Sequence, residues 1–381
     1  LTFWHGYTEA DGDVLEQIVD DFNASQDDVE ISTEVRTWDS IDDTLLPALS
    51  AGEGPQIVAM PAERMPVYAD RGAFVDLTGL YEESEPLAAL SEASVEMMTL
   101  DDEQFGVPTG FVPLSVFYNK ALFAEAGIEA FPETWDEWVE AAEALTVDEN
   151  GDGTPERYGL TVPDHGSFLW PSLFLSGGGD LVEDGASVVD SAANLATLEY
   201  WTTAVRDGRI SPTGLDGIAA DQLYSAGQAA MHLGGPWLAT ISEENGIDYG
   251  IAAIPAGPAE QAATAIGVGM GITAEADEAQ VAGAEAFFEY FLSEDVATEW
   301  SLASGWPPLR TDIPVEAVSS NAVVAALTEI AATGRPLLPG VTATTDVISA
   351  LDNLTQRAIA GQDPADLLAE AQTAIDAALE D

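Results

Sequence analysis

Nine tryptophans are the most conspicuous chemical groups in this 381-residue chain. Trp135, Trp138, Trp201 and Trp300 fall on stretches of helical periodicity and read as core. Trp4, Trp38, Trp170, Trp237 and Trp306 fall at strand ends or in loops, where an α/β sheet presents ligands. An indole face suits the C–H face of a pyranose ring, whose hydroxyls then need polar or charged partners. Candidates for those partners are His5, Asp39, Glu63, and the backbone at Thr109 to Phe111 and at Gly235. Glu63 stands directly after an apolar strand. With 68 acidic residues in the chain, an acid picked at random is a solvated surface group. His5 could equally cap the first helix.

The stretch Asp148-Glu149-Asn150-Gly151-Asp152-Gly153-Thr154-Pro155-Glu156 sets oxygens at alternate positions around a turn glycine, as a calcium loop does. Asp148, Asn150, Asp152, Thr154 and Glu156 are its candidate ligands. The twelfth position is Gly159, so the usual bidentate carboxylate is missing, and an ordinary Asx/Gly turn reads the same way. Calcium is the one cofactor the chain suggests, and none is required. Catalytic signatures are absent. His165 and His232 lack metal spacing, and neither a Gly-x-Ser-x-Gly elbow nor a phosphate loop occurs. With no cysteine, disulfides, thiol catalysis and iron–sulfur clusters are excluded.

The charge is extreme: 10 Lys+Arg against 68 Asp+Glu, net −58, with Lys120 the single lysine. Such a surface excludes nucleic acid and disfavours anionic membranes. Nine Trp and regular apolar periodicity argue for a folded body rather than disorder, so the composition reads as adaptation to high salt, with an acidic exported protein of a non-halophile as the alternative. No apolar run is long enough to span a membrane. The chain opens at once on an apolar strand, which leaves its compartment open.

These groups need a scaffold, and the apolar pattern supplies an α/β one. Strands at 1–5, 29–35 and 56–60 alternate with helices at 13–25, 41–50 and 62–70, a β-α-β-α-β-α order that builds a mainly parallel sheet. Further strands fall near Tyr118 and over 159–162, 229–233, 249–254 and 266–272. Helices fill 194–207, 237–244, 279–292 and 295–304 and most of the chain beyond 319. Passages through Phe105–Gly110, Ile266–Ile272 and Gly305–Arg310 read as crossings between two domains.

Phe117-Tyr118-Asn119-Lys120 through Gly127, followed by Pro132-Glu133-Thr134-Trp135-Asp136-Glu137, is a strand, a short helix and a helix with a capping box. This run resembles the extracellular solute-binding proteins of ABC importers, the maltose-binding-protein type. Other segments resemble the same family in order: Phe3-Trp4-His5, Gly52 to Val58 (with Gln56 for the usual Asp), Gly227 to Met231 with Gly235-Pro236-Trp237, Tyr249 to Pro255, and Gly305-Trp306-Pro307-Pro308. The resemblance implies two α/β lobes, each a mainly parallel sheet flanked by helices, joined by three crossings. Residues 1–110 plus 267–310 would form one lobe and 111–266 plus 311–381 the other, with ligand held in a hinged cleft between them. It further implies a monomeric, non-enzymatic carrier of a neutral di- or oligosaccharide, working with an ABC permease. The carrier would lie outside the cytoplasm, on a lipid anchor in its precursor. Trp237 and Trp306 match the family's stacking loops, and Glu63 a position that often holds ligand hydroxyls. A polyol or glycerol-phosphate carrier and a glycoside hydrolase are the alternatives.

The charge yields a first prediction. Raising the salt from 0.1 M to 1 M shortens the Debye length from ~10 Å to ~3 Å and relieves carboxylate repulsion. The melting temperature should therefore rise from dilute buffer to molar KCl, with chelator present to exclude calcium. A flat or falling curve refutes salt adaptation.

Overall fold

The computed structural model describes residues 1–164 and 169–380; for Glu9, Ala10 and Asp39 only the backbone is described. It divides into two compact units. The first is Leu1–Val112, Ile266–Glu329 and Pro336–Thr342, and the second is Pro113–Ala265, Ile330–Arg335 and Ala343–Asp381.

In the first unit, strands Thr2–His5, Ser32–Val35 and Ile57–Pro61 pair in parallel, with Thr2–His5 in the middle. Helix Glu9–Ser25 closes the first crossover because Leu15, Ile18, Val19 and Phe22 share one face and are buried. Phe22 meets Phe287 of helix Glu278–Phe291 edge to face at 5.3 Å. Helix Trp38–Ala51 makes the second crossover, capped by the Thr37 side chain on the Ser40 amide and ended by Gly52 in the left-handed region. Strand Ala263–Ile272 lies antiparallel to Ile57–Pro61 over residues 268 to 272.

The second unit departs from the parallel expectation. Its four-stranded sheet runs Tyr249–Ala253, Ser115–Asn119, Ala229–Gly234, Tyr158–Leu160. Only the last pair is parallel, and Ser115–Asn119 is antiparallel to both neighbours. Ser115–Asn119 follows directly on strand Val107–Pro113 rather than on a crossover helix, so nothing dictates a parallel start. The expected capping box is complete. The Thr134 hydroxyl accepts from the Glu137 amide, and the Glu137 carboxylate accepts from the Thr134 amide at 3.2 Å.

The third passage also differs from expectation. The chain leaves the first unit after Glu329, not at Arg310, and returns for Pro336–Thr342. Arg310 and three buried aliphatic side chains are among the groups that hold residues 310–329 to the first unit. Arg310 donates to the Asp312 carboxylate through Nε and Nη2 and to the Leu292 carbonyl through Nη1. Ile313, Val318 and Val324 bury themselves against Ala297.

One buried residue ties four distant segments of the first unit together. The Thr109 hydroxyl accepts from the Tyr7 phenol at 2.5 Å and donates to the Val268 carbonyl at 3.1 Å. The Thr109 carbonyl accepts from the Trp300 indole N–H at 2.8 Å. Thr109→Val keeps the shape but strands two buried polar groups, each costing about 1–3 kcal/mol. Urea unfolding in high salt should show a loss of that order. A loss under about 0.5 kcal/mol, the range of an ordinary surface substitution, refutes the tie.

Candidate functional site

The parallel register fixes where the candidates collect. Phe3 and Trp4 stand opposite Ile57 and Val58, and His5 stands opposite Val35. The residues that follow each strand, Gly6–Tyr7, Arg36–Trp38 and Ala62–Arg64, therefore emerge at one carboxyl edge of the sheet, where α/β sheets bind ligands. Trp38 begins its helix there and lies flat against Gly6; a Cβ on Gly6 would come within 2.3–2.5 Å of the indole. The Tyr7 ring meets Trp38 edge-on at 5.3 Å and Trp300 at 5.4 Å. Trp306, in the loop after helix Glu294–Ser304, lies in the same way on Gly110, with 2.6 Å left for a Cβ. The second unit repeats the device: Trp237 lies on Gly235, where a Cβ would meet the ring at 2.3 Å. Trp237 is 43% exposed and Trp306 8%.

Glu63 sits in the short 3-10 turn Ala62–Arg64, half-buried. Burial pushes its carboxyl up to about 7, only partly offset by its own backbone amide. It is therefore largely protonated below neutrality and can donate as well as accept. Both guanidinium groups at this edge are engaged. Arg36 bonds Glu34 and lies 3.5 Å over the Trp4 ring, and Arg64 pairs with Asp42. An anionic ligand finds no unpaired arginine here.

Several sequence candidates turn out to be scaffold. His5 is fully buried between the Phe3 and Tyr7 rings, and burial pushes its imidazole down to about 4, against a smaller opposing pull from the Tyr7 backbone. With no surface exposed, it is neutral packing beside those rings and offers a ligand hydroxyl no open atom. Trp4 is buried under Arg36. Thr109 is buried with its hydroxyl and carbonyl spent on the tie, and Phe111 is buried in the same strand. Trp170 is not in a loop. It lies in helix Leu169–Gly177, fully buried, with its indole N–H donating to the Pro163 carbonyl at 2.9 Å. Gly235 serves as the seat of Trp237. The Asp39 side chain and His165 lie outside the described residues. Tyr7, which the sequence reading passed over, is what orients Trp38; its place two residues past a strand end was the available signal.

The 148–156 loop folds on its own amides. Asp148 accepts from Gly151 and Gly153, Asp152 from Thr154, and Glu156 from Glu149 and the Asn150 side chain. Among the described residues, no group of three or more His, Asp or Glu is placed to hold a metal ion. No helix among them is long and apolar enough to cross a membrane.

Comparison with known proteins places the chain in a family. Residues 17–330 match the family model described as bacterial extracellular solute-binding protein. The diacetylchitobiose binding protein DasA of Streptomyces coelicolor is 24% identical over 377 residues, 96% of this chain and 86% of that one. The cyclic alpha-maltosyl-1,6-maltose binding protein of Arthrobacter globiformis superposes with a TM-score of 0.89 at 26% identity, covering 100% of this chain and 98% of that one. The maltose/maltodextrin-binding domain MalE of Bdellovibrio bacteriovorus shares the fold, with a TM-score of 0.82 at 21% identity and 100% coverage of both chains.

The two shifted groups predict opposite pH effects. From about 4.5 to about 7, native Glu63 keeps a proton that the unfolded chain has released, so it contributes stability at low pH that is lost as pH rises. From about 4 to 6.5, native His5 lacks a proton that the unfolded chain binds, so its contribution rises with pH. Melting temperatures of wild type and Glu63→Gln, compared between pH 4.5 and 7, should diverge, the wild type losing ground as pH rises. Parallel curves would show that the Glu63 carboxyl is not held protonated by burial.

Proposed function

The chain belongs to the bacterial extracellular solute-binding proteins, and from that premise we propose that it captures a neutral di- or oligosaccharide for an ABC importer. The observation that carries this reading is the seating of Trp38, Trp306 and Trp237. Each indole rests one face on a glycine backbone at a position that leaves no room for a side chain beneath it. Such a seat holds a flat apolar platform rigidly in place, which suits stacking on a sugar ring. Glu63, largely protonated below neutrality, is a hydroxyl partner that adds little charge there beside an uncharged ligand. The pairing of Arg36 and Arg64 weighs against a phosphorylated ligand at this edge. The relatives named for diacetylchitobiose and for cyclic maltosyl-maltose support an oligosaccharide as the ligand class. In this reading the protein acts outside the cytoplasm, as a monomer, by reversible binding without turnover.

Tryptophan emission titrated with maltose, maltotriose, diacetylchitobiose and galacto-oligosaccharides should show saturable binding to at least one, with no product formed. Trp237→Ala should weaken that binding by about 1–3 kcal/mol, as for other aromatic anchors. Sugar hydrolysis would replace the carrier reading with an enzymatic one. Unchanged affinity in Trp237→Ala and in the matching Trp38 and Trp306 variants would remove the indoles from the site.

A further inference from the structure

Arginine is scarce in this chain, and two thirds of it is neutralised. Of nine arginines, Arg36, Arg64, Arg157, Arg310, Arg335 and Arg357 each hold a carboxylate. Arg71, Arg206 and Arg209 hold none among the described residues. All three are exposed; Arg71 stands in the first unit, while Arg206 and Arg209 together line one open cavity of ≈ 560 Å³ in the second.

The cavity is built around them. Helix Ala192–Arg206 delivers Arg206 at its last turn, and the guanidinium lies flat on Gly361, 3.1 Å from where a Cβ would stand. Arg209 lies against Gly153, the glycine of the acidic loop, at 3.2 Å by the same measure. Glycine, rather than carboxylate, packs both groups. Arg209 also sits in the left-handed region at φ 54°, a conformation that favours glycine or asparagine and strains an arginine. Folding alone would choose a glycine there, so the side chain is retained against a backbone cost.

The other donors lining the cavity are unspent too. The Tyr158 phenol, the Thr213 hydroxyl and the Gln356 amide line it, and none makes a side-chain hydrogen bond among the described residues. Burial pushes the Tyr158 phenol up, so it remains a donor. The one carboxylate in the lining, Asp164, is buried and already has an interaction of its own. A concave site lined by two cations and three neutral donors, with no free acceptor of like strength, is complementary to an oxyanion.

We propose that this cavity is an oxyanion site, separate from the sugar site, in which Arg206 and Arg209 clamp a phosphate or sulfate group with Tyr158, Thr213 and Gln356 completing its shell. The group is either a free anion or the phosphate of a lipid headgroup. The net charge of −58 repels anions at long range, so the site works best where salt screens the chain.

The test is isothermal titration of the whole chain with sodium phosphate and with sodium sulfate in about 0.5 M KCl, a regime of short Debye length. Alongside it runs flotation with phosphatidylglycerol vesicles. Arg206→Gln and Arg209→Gly are compared with Arg71→Gln, whose arginine is likewise exposed and unpaired among the described residues but lies in the first unit. Binding should be saturable at one site and fall at least about tenfold in each cavity variant, the loss expected for deleted charge-assisted hydrogen bonds. Arg71→Gln should bind as wild type. Arg209→Gly relieves the left-handed backbone, so its melting temperature should not fall, which separates lost binding from lost folding. Arginine-dependent binding of the free anions identifies a soluble ligand. The same dependence seen only with vesicles identifies a headgroup. No binding of either, binding indifferent to both cavity variants, or an equal loss in Arg71→Gln overturns the proposal.

Discussion

The Thr109 hydroxyl joins Tyr7 to Val268 while its carbonyl holds Trp300, so one residue links segments at positions 7, 109, 268 and 300. These bonds are buried, where an unmade partner is expensive and a made one is strong. Two of the indole seats rest on this tie. Tyr7 carries Trp38 on its ring edge, and Gly110, the next residue after Thr109, is the seat of Trp306. A stacking surface is useful only if it is already oriented when ligand arrives. Here the orientation comes from backbone contact and a buried hydrogen-bond chain rather than from mobile side chains. That is why Thr109 works as a foundation.

A second constraint is charge. With 68 acids and 10 cations, ion pairs cannot hold the molecule together, and surface pairs are worth little in any case. Cohesion falls to apolar burial, seen in the Phe22–Phe287 contact and in the indole cluster of Trp135, Trp138 and Trp201. The scarce arginines are then informative by placement. Arg310 ties the segment after residue 309 to helix Glu278–Phe291 and its cap, and Arg36 covers Trp4. Arg206 and Arg209 do neither, which is why their cavity stands out.

What the sequence by itself determined is what neighbouring residues decide among themselves. The Thr134 capping box, the Asn119 cap with Gly127 ending the helix, and the opening β-α-β-α-β order all rest on interactions within a few positions, and all are present. The places of Trp38, Glu63, Trp237 and Trp306 beside strand or helix ends followed from the same local reading. Tertiary structure alone decided what depends on partners far along the chain. Whether His5 and Trp4 faced ligand or core turned on the rings and the arginine that cover them. Trp170 left its expected loop because residues 169–177 form a helix that buries it. Ser115–Asn119 pairs antiparallel because its partners, not its own alternation, set direction. The third passage moved past Glu329 because Arg310 found Asp312 and the Leu292 carbonyl. In each case the local pattern allowed both outcomes, and long-range burial and hydrogen bonding selected one.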